Sequence, residues 1–249
     1  MNSYGFLAGC YDEFTTDVDY AAWAEYIQRH FERAGLPGST VLDLACGTGS
    51  LSVLLAEHGY RVIGVDLSEE MLAVADEKCS HLAENRPFFV CQPMQRLRLP
   101  EQVDSVICAL DSLNYVTRPA DVQKTFRRVH DALTPGGLFL FDINTPYKLE
   151  GLAGQTFLDE TEDTYCVWRT EFDPKKRLCY YGMDLFQRDG EVWERSFEEH
   201  IEYAYTAEEL TGWLREAGFT KIDVFGDRKC RAPKEDELRV YLAARKETT

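Results

Sequence analysis

The ten residues Val41-Leu-Asp-Leu-Ala-Cys-Gly-Thr-Gly-Ser50 constrain this chain more than any other segment. An apolar run carrying one acid ends in a loop with Gly47 and Gly49, and a helical pattern follows. Glycine in such a loop lets a ligand approach the backbone, because no Cβ holds it off. The helix then opens with unpaired N–H groups aimed into the loop. A second apolar run, Arg61-Val-Ile-Gly-Val-Asp66, closes on an acid. The unit reads strand, loop, helix, strand, with a carboxylate at the second strand's end, where it suits ribose hydroxyls. A nucleoside-containing cofactor is expected.

The dinucleotide fingerprint G-x-G-x-x-G, begun at Gly47, needs a third glycine at position 52, and that residue is Ser52. The third glycine lets the helix pack closely on the strand, so its loss weakens the NAD reading. Asp43 stands four residues before Gly47. A carboxylate there repels a pyrophosphate but suits the ammonium of an amino-acid tail. Acid, glycine loop and ribose acid together fit S-adenosylmethionine (SAM) better than NAD. Taken singly, the loop could be a tight turn and Asp66 a cap for the helix after Ser68.

These residues resemble the class I SAM-dependent methyltransferases, and the resemblance covers nearly the whole chain. The loop is similar to their first motif, with Ala45 where many members have glycine. Gly64-Val-Asp66-Leu-Ser-Glu-Glu-Met-Leu-Ala-Val-Ala75 resembles the second, and Leu133-Thr-Pro-Gly-Gly-Leu-Phe-Leu-Phe-Asp142 the turn and strand that close the central sheet. Asp111-Ser-Leu-Asn-Tyr115 is similar to a bacterial small-molecule subgroup. The resemblance implies a cofactor site of Asp43, Ala45, Cys46, Gly47, Gly49, Asp66, Leu67, Met71, Met94, Gln95, Leu110, Asp111 and Asn114. Tyr4 or Tyr11 would cap the amino-acid end, and S-adenosylhomocysteine (SAH) would be the product. In one respect the chain departs from the pattern. Members often carry an acid near the end of the third strand for the adenine amino group, and Pro93 stands there. Proline has neither carboxylate nor N–H, which leaves adenine to Gln92, Gln95 or the Met94 amide.

Periodicity places the motifs on elements. A helix is expected from Asp19-Tyr20 to Ala34, ended by Gly35 and Pro37-Gly38. Strands at 40–44, 61–65, 87–91, 104–110 and 138–143 alternate with helices at 50–58, 69–81 and 120–133, the pattern of a parallel sheet covered on both faces. Ligands on such sheets sit beyond the strands' carboxyl ends, and Asp43, Gly47, Asp66, Met94 and Asp111 all fall at that edge. Segments 164–172, 178–186 and 192–203 alternate and are aromatic-rich, with Asp189-Gly190 as a hairpin signal. They are expected to form a three-stranded antiparallel insertion. A capping box at Thr206–Glu209 opens a helix to Glu216, and strands at 221–225 and 238–244 finish the sheet. The expected fold is therefore α/β, a Rossmann-like, seven-stranded, mostly parallel sheet with helices on both faces and an antiparallel β insertion after strand five. Its divisions would be a cap over 1–39, a SAM-binding domain over 40–144 and 206–249, and a lid over 145–205.

Composition removes several classes. The 249 residues are 45% hydrophobic, enough for a full core, yet no apolar stretch approaches the ~20 residues that cross a bilayer. No positive and apolar leader opens the chain, and its eight cysteines include no C-x-x-C pair. A reducing cytoplasm is expected, with neither disulfide frame nor metal site. A net charge of −16 argues against nucleic acid as partner, since phosphate contact needs a clustered basic face. A monomer or homodimer is expected.

Methyl transfer from a sulfonium is an in-line displacement, so alignment and water exclusion come first. A base is needed only if the acceptor loses a proton as it attacks. The insertion would supply the acceptor pocket, with Tyr165, Trp168, Tyr180, Tyr181, Phe186 and Trp193 as candidate walls, whereas Tyr20 and Trp23 are expected to be packing residues. Alternation puts His200 on one strand face with Glu198 and Glu202, opposite Phe197, Ile201 and Tyr203. On a solvent face, the plainer expectation, it does nothing special; on a cleft face it becomes the base candidate, with Tyr11 beside it. Enzymes that methylate exocyclic amines of bases resemble one another in an Asn/Asp-Pro-Pro-Tyr turn, and pyrimidine carbon-5 enzymes in a Pro-Cys nucleophile; both are missing here, which leaves a small-molecule acceptor methylated at N or O. Two other functions compete: a SAM-binding sensor without transferase activity, kept open by Pro93, and an NAD-type oxidoreductase.

Overall fold

The computed structural model describes residues 7–9, 11–36, 38–226 and 228–248, so Tyr4 lies outside the described residues. After a 3-10 turn at Tyr11–Thr15, Asp19 opens α1 (Tyr20–Ala34) by accepting the Ala22 N–H at 2.9 Å. Gly35 closes the helix in the left-handed conformation at φ 72°. Trp23, Tyr26, Ile27 and Phe31 form its buried stripe, at the spacing of a helix laid on a sheet.

Alternation then runs β1 (Thr40–Leu44), α2 (Ser50–Glu57), β2 (Arg61–Asp66), α3 (Glu69–Lys78), β3 (Phe88–Cys91), β4 (Val103–Cys108), α4 (Pro119–Ala132) and β5 (Leu133–Asn144). After the insertion come α6 (Ala207–Glu216), β10 (Phe219–Phe225) and β11 (Arg239–Lys246). These strands make a seven-stranded sheet in the order β10-β11-β5-β4-β1-β2-β3. β1 to β5 are parallel, while β11 runs antiparallel to β5 and to β10. Val41, Leu42 and Leu44 of β1 and Val106, Ile107 and Cys108 of β4 are all buried, as strands covered on both faces must be. On one face Leu42, Leu44, Phe139 and Phe141 pack with Phe126 of α4 and Leu210 and Leu214 of α6. On the other, Val41, Ile107 and Leu140 pack with Tyr26 and Phe31 of α1 and Leu51 and Leu55 of α2. The strand order switches at β1, between β2 and β4, and this opens a crevice at the carboxyl ends.

The insertion differs from expectation. It holds a short helix, α5 (Pro146–Gly151), and four strands rather than three: β6 (Thr156–Glu160), β7 (Thr164–Asp173), β8 (Leu178–Asp189) and β9 (Val192–Tyr203), antiparallel in that order. β6 escaped detection because all five of its residues are exposed, so no apolar alternation marks it. The strand expected to reach Leu110 stops at Cys108, because Leu110 and Asp111 turn left-handed at φ 58° and 53°. β9 is turned opposite to the plainer expectation. His200 and Glu202 are 4% and 2% exposed, and Phe197 on the other face is 55% exposed.

Among the described residues no helix is long and apolar enough to cross a membrane.

Candidate active site

The crevice is a cavity of about 720 Å³, in the range of small-molecule sites. Its floor is the loop after β1. Ala45 and Cys46 donate their N–H groups to the Val65 carbonyl at 2.7 and 3.1 Å, which ties the loop to β2. Ala45 does this at φ 63°, a conformation an L-residue adopts at some cost. Gly47 follows at φ 53° and donates to Asp66 Oδ2 at 2.8 Å; no atom lies within 4 Å of where its Cβ would stand. The loop is thus open on the cavity side at this residue. A methyl group at Gly49 would lie 2.8 Å from the Ala75 Cβ, so that glycine serves the packing of α2 on α3 and not the cavity.

Asp66 accepts the Gly47 N–H on one carboxylate oxygen and the Ser68 N–H, at 3.0 Å, on the other. Each oxygen keeps further acceptor capacity, as a pair of vicinal hydroxyls requires. Ser68 caps α3 by accepting the Met71 N–H at 3.2 Å, and this turns Leu67 and Met71 to the cavity wall. Asp43 is 2% exposed and accepts the Ser52 hydroxyl at 2.6 Å. Burial pushes its carboxyl up to about 7, against the pull of the Ser52 bond and with a push from Asp66. At the third strand's end a 3-10 turn, Met94–Arg96, presents Met94 and Gln95. The Gln92 side chain is spent locally, donating to the Arg98 carbonyl at 3.2 Å and accepting the Arg98 N–H at 3.1 Å.

The opposite wall begins at the left-handed pair Leu110-Asp111. Asp111 donates its N–H to Asp142 Oδ2 at 3.0 Å, and its carboxylate accepts from Arg239 Nη2 at 2.6 Å. The same guanidinium also binds Asp142, which is fully buried. Next comes the 3-10 turn Ser112–Tyr115, with Tyr115 edge-on to the His200 ring at 6.0 Å between centroids. His200 Nε2 lies 3.2 Å from Glu198 Oε2; the histidine is buried and the glutamate partly so. Tyr11 and Tyr20 complete the cavity from the N-terminal side. Burial, followed by the neighbouring Tyr20 and carboxylates, raises the Tyr11 phenol far above its ordinary range, so it stays protonated.

Of the expected residues, the cavity brings together Tyr11, Asp43, Ala45, Cys46, Gly47, Asp66, Leu67, Met71, Met94, Gln95, Leu110, Asp111 and His200. Gly49 and Asn114 do not line it. Asn114 is fully buried and bonds the Asn144 and Tyr203 carbonyls at 3.0 Å, which bolts β5 to β9. Expected aromatic walls also fall elsewhere. Trp168 packs against Cys166, Met183 and Leu185, Tyr165 contacts Phe186 edge-on, and Trp193 is 48% exposed. Tyr180 and Tyr181 are likewise absent from the lining, whereas Tyr20, expected to be packing, is part of it. Arg239 was missed because nothing local marks it. Among the described residues no group of three or more His, Cys, Asp or Glu side chains is arranged to hold a metal.

The chain is similar to known proteins in sequence and fold. Residues 41–137 match a family model described as a methyltransferase domain. The chain is 34% identical over 249 residues to YqeM of Bacillus subtilis (strain 168), named as a methyltransferase, with 99% of this chain and 98% of the relative covered. A ubiquinone biosynthesis O-methyltransferase of Pseudomonas paraeruginosa is 41% identical over 116 residues, only 45% of this chain and 48% of the relative. Among solved structures, a SAM-dependent methyltransferase from Clostridium acetobutylicum ATCC 824 superposes with a TM-score of 0.87 at 31% identity, covering 98% of this chain and 99% of that one. The CcbJ methyltransferase of Streptomyces caelestis, at 21% identity and TM-score 0.83 with 99% and 98% covered, shares the fold.

Proposed function

The chain belongs to the class I SAM-dependent methyltransferases, and from that premise we propose that it methylates nitrogen or oxygen of a small-molecule acceptor seated between Asp111, Tyr115 and His200. One observation carries this reading: a single cavity runs from the glycine loop and Asp66 to the wall of Tyr115 and His200, so cofactor and acceptor share one enclosed space.

The residues present fit the cofactor. Asp66 retains acceptor capacity for the ribose hydroxyls, Asp43 offers a carboxylate to the ammonium, and Gly47 leaves the backbone exposed where a Cβ would intrude. Leu67, Met71, Met94 and Gln95 would flank adenine, with Gln95 and the Met94 amide standing in for the usual acid. Bound there, SAM supplies an electrophilic methyl group. The chain's own task is positional. Tyr11 and Tyr20 close the site against water, and Leu110-Asp111, held left-handed by Asp142 and Arg239, fixes the acceptor's wall. His200, beside Glu198, is the group that takes a proton from a hydroxyl acceptor; an amine attacking as its free base needs no such help. Residues 40–144 and 206–249 would form the cofactor domain, 1–39 its cap and 145–205 the acceptor side.

The test is SAH formation from labelled SAM against panels of amines and hydroxylated metabolites. Acceptor-dependent turnover in one panel, with the methyl on N or O, is expected. H200A should lower kcat without changing the Kd of SAH if the acceptor is a hydroxyl. No acceptor-dependent turnover in either panel, or a methyl found on carbon, contradicts the reading.

A further inference from the structure

The turn Tyr11–Thr15 is fastened on two sides by different chemistry. Toward the insertion the contact is apolar, with Tyr11 and Phe14 packed on Cys166, Met183 and Leu185. Toward the glycine loop it is polar and charged. Asp12 Oδ1 accepts the Thr48 hydroxyl at 2.7 Å, and Asp12 Oδ2 pairs with Lys78 Nζ at 2.7 Å. Lys78 also donates to Thr48 Oγ1 at 3.1 Å and to Ser50 Oγ at 2.8 Å. Thr48 lies between Gly47 and Gly49 and is 2% exposed. Lys78 ends α3, the helix whose first turn carries Met71 to the cavity wall. Three segments distant in sequence are therefore locked together at the cofactor loop by one carboxylate and one ammonium.

We propose that Asp12 and Lys78 form a clasp that holds this turn over the bound cofactor and sets how fast the cofactor leaves. The inference rests on the reading of the cavity as the SAM site. Tyr11 and Val18 border the cavity and precede α1, so exchange requires residues 11–18 to swing aside. α1 itself stays, anchored by Trp23, Tyr26, Ile27 and Phe31, and the movable piece ends at the Asp19 cap. Swinging it aside replaces the clasp's charge-assisted bonds with bonds to water. The Lys78 and Asp12 side chains are 26% and 44% exposed, so the charge pair is open to screening by salt. Asp12 and Lys78 are positioning residues: they touch the loop and the turn and act on the cofactor through them.

The experiment is stopped-flow release of SAH from the full chain, wild type against D12N, K78Q and the double variant, at low and at high salt, with thermal midpoints measured alongside. The clasp predicts release about tenfold faster in each single variant, a factor equivalent to ~1.4 kcal/mol. It predicts no further gain in the double variant, because the two side chains act as one unit. High salt should speed wild-type release toward the variants' rate and leave theirs unchanged, a response that a merely structural role would not give. The wild-type salt series alone tests the clasp if a variant fails to fold. Equal release rates in all four proteins, additive effects, or wild-type release indifferent to salt would overturn the clasp while leaving the site reading intact. No SAH binding by folded wild type would overturn both.

Discussion

Ser52 donates its hydroxyl to Asp43 at 2.6 Å, with Ser52 fully buried and Asp43 2% exposed. The serine stands where a dinucleotide site has its third glycine, and here it holds the acid that we propose pairs with the cofactor's ammonium. Its bond pulls the Asp43 carboxyl down against the push of burial, which leaves it at about 7. Removing it in S52A strands a buried acceptor, a loss of about 1–3 kcal/mol in stability. Asp43 then rises further and is more fully protonated at neutral pH, where only the carboxylate pairs well with an ammonium. SAH affinity at pH 7 should fall about tenfold in S52A, and its rise with pH should move to higher pH. Titration calorimetry from pH 6 to 8 checks this; an unchanged profile argues that Asp43 does not face the ammonium.

Glu202 gives a second pH signature, in stability. It accepts the Asn144 side-chain N–H at 2.9 Å, and burial, then the charge of Asp111, raises its carboxyl to about 8. The folded state therefore keeps a proton that the unfolded state has lost between about pH 4.5 and 8. Stability from this group is present at the acid end of that window and declines as pH rises, by up to ~1.4 kcal/mol per pH unit. Asp43 adds to the decline below about 7. E202Q keeps the shape and removes the proton, so its urea midpoint should gain on the wild type from pH 6 to 8. Parallel midpoints would refute the assignment.

Arg239 is the cation between Asp111 and Asp142. R239M would leave both acids without their cation, Asp111 at the cavity wall and Asp142 behind it with no exposure at all. Breaking a buried pair in this way costs about 3–5 kcal/mol, and D142N in the same chain should restore part of it by removing one charge. Urea unfolding measures both. A loss under ~1 kcal/mol would show that the pair holds nothing.

Local signals made most of this fold readable. Ser68 and the Thr206–Glu209 box mark helix starts, and the apolar runs at 40–44, 61–65 and 104–108 mark buried parallel strands, because capping and burial act within a few residues. The glycine loop and Asp66 were readable for the same reason. What stayed hidden depends on long-range geometry. Alternation separated the faces of β9 but could not say which faces inward, and the polar face does, with His200 at the cavity wall and Glu202 bonded to the buried Asn144. β6, exposed at every position, has no pattern to read. Arg239 meets partners 97 and 128 residues away, so no window on the sequence includes the group. The aromatics of the insertion were visible as residues but not as faces, and the cavity takes Tyr11, Tyr20 and Tyr115 in their place.

The measurement that bears most directly on the account is calorimetric titration with SAM and SAH, NAD as control, on the wild type and D66A. Asp66 ties the glycine loop through Gly47 and faces the cavity with acceptor capacity to spare, so it is the residue on which the cofactor assignment turns. The account predicts micromolar binding of both SAM and SAH by the wild type, no binding of NAD, and a loss of about tenfold or more in a folded D66A, the scale of bonds to a charged group. Folded wild type that binds neither SAM nor SAH, or a D66A variant that binds them undiminished, would contradict it.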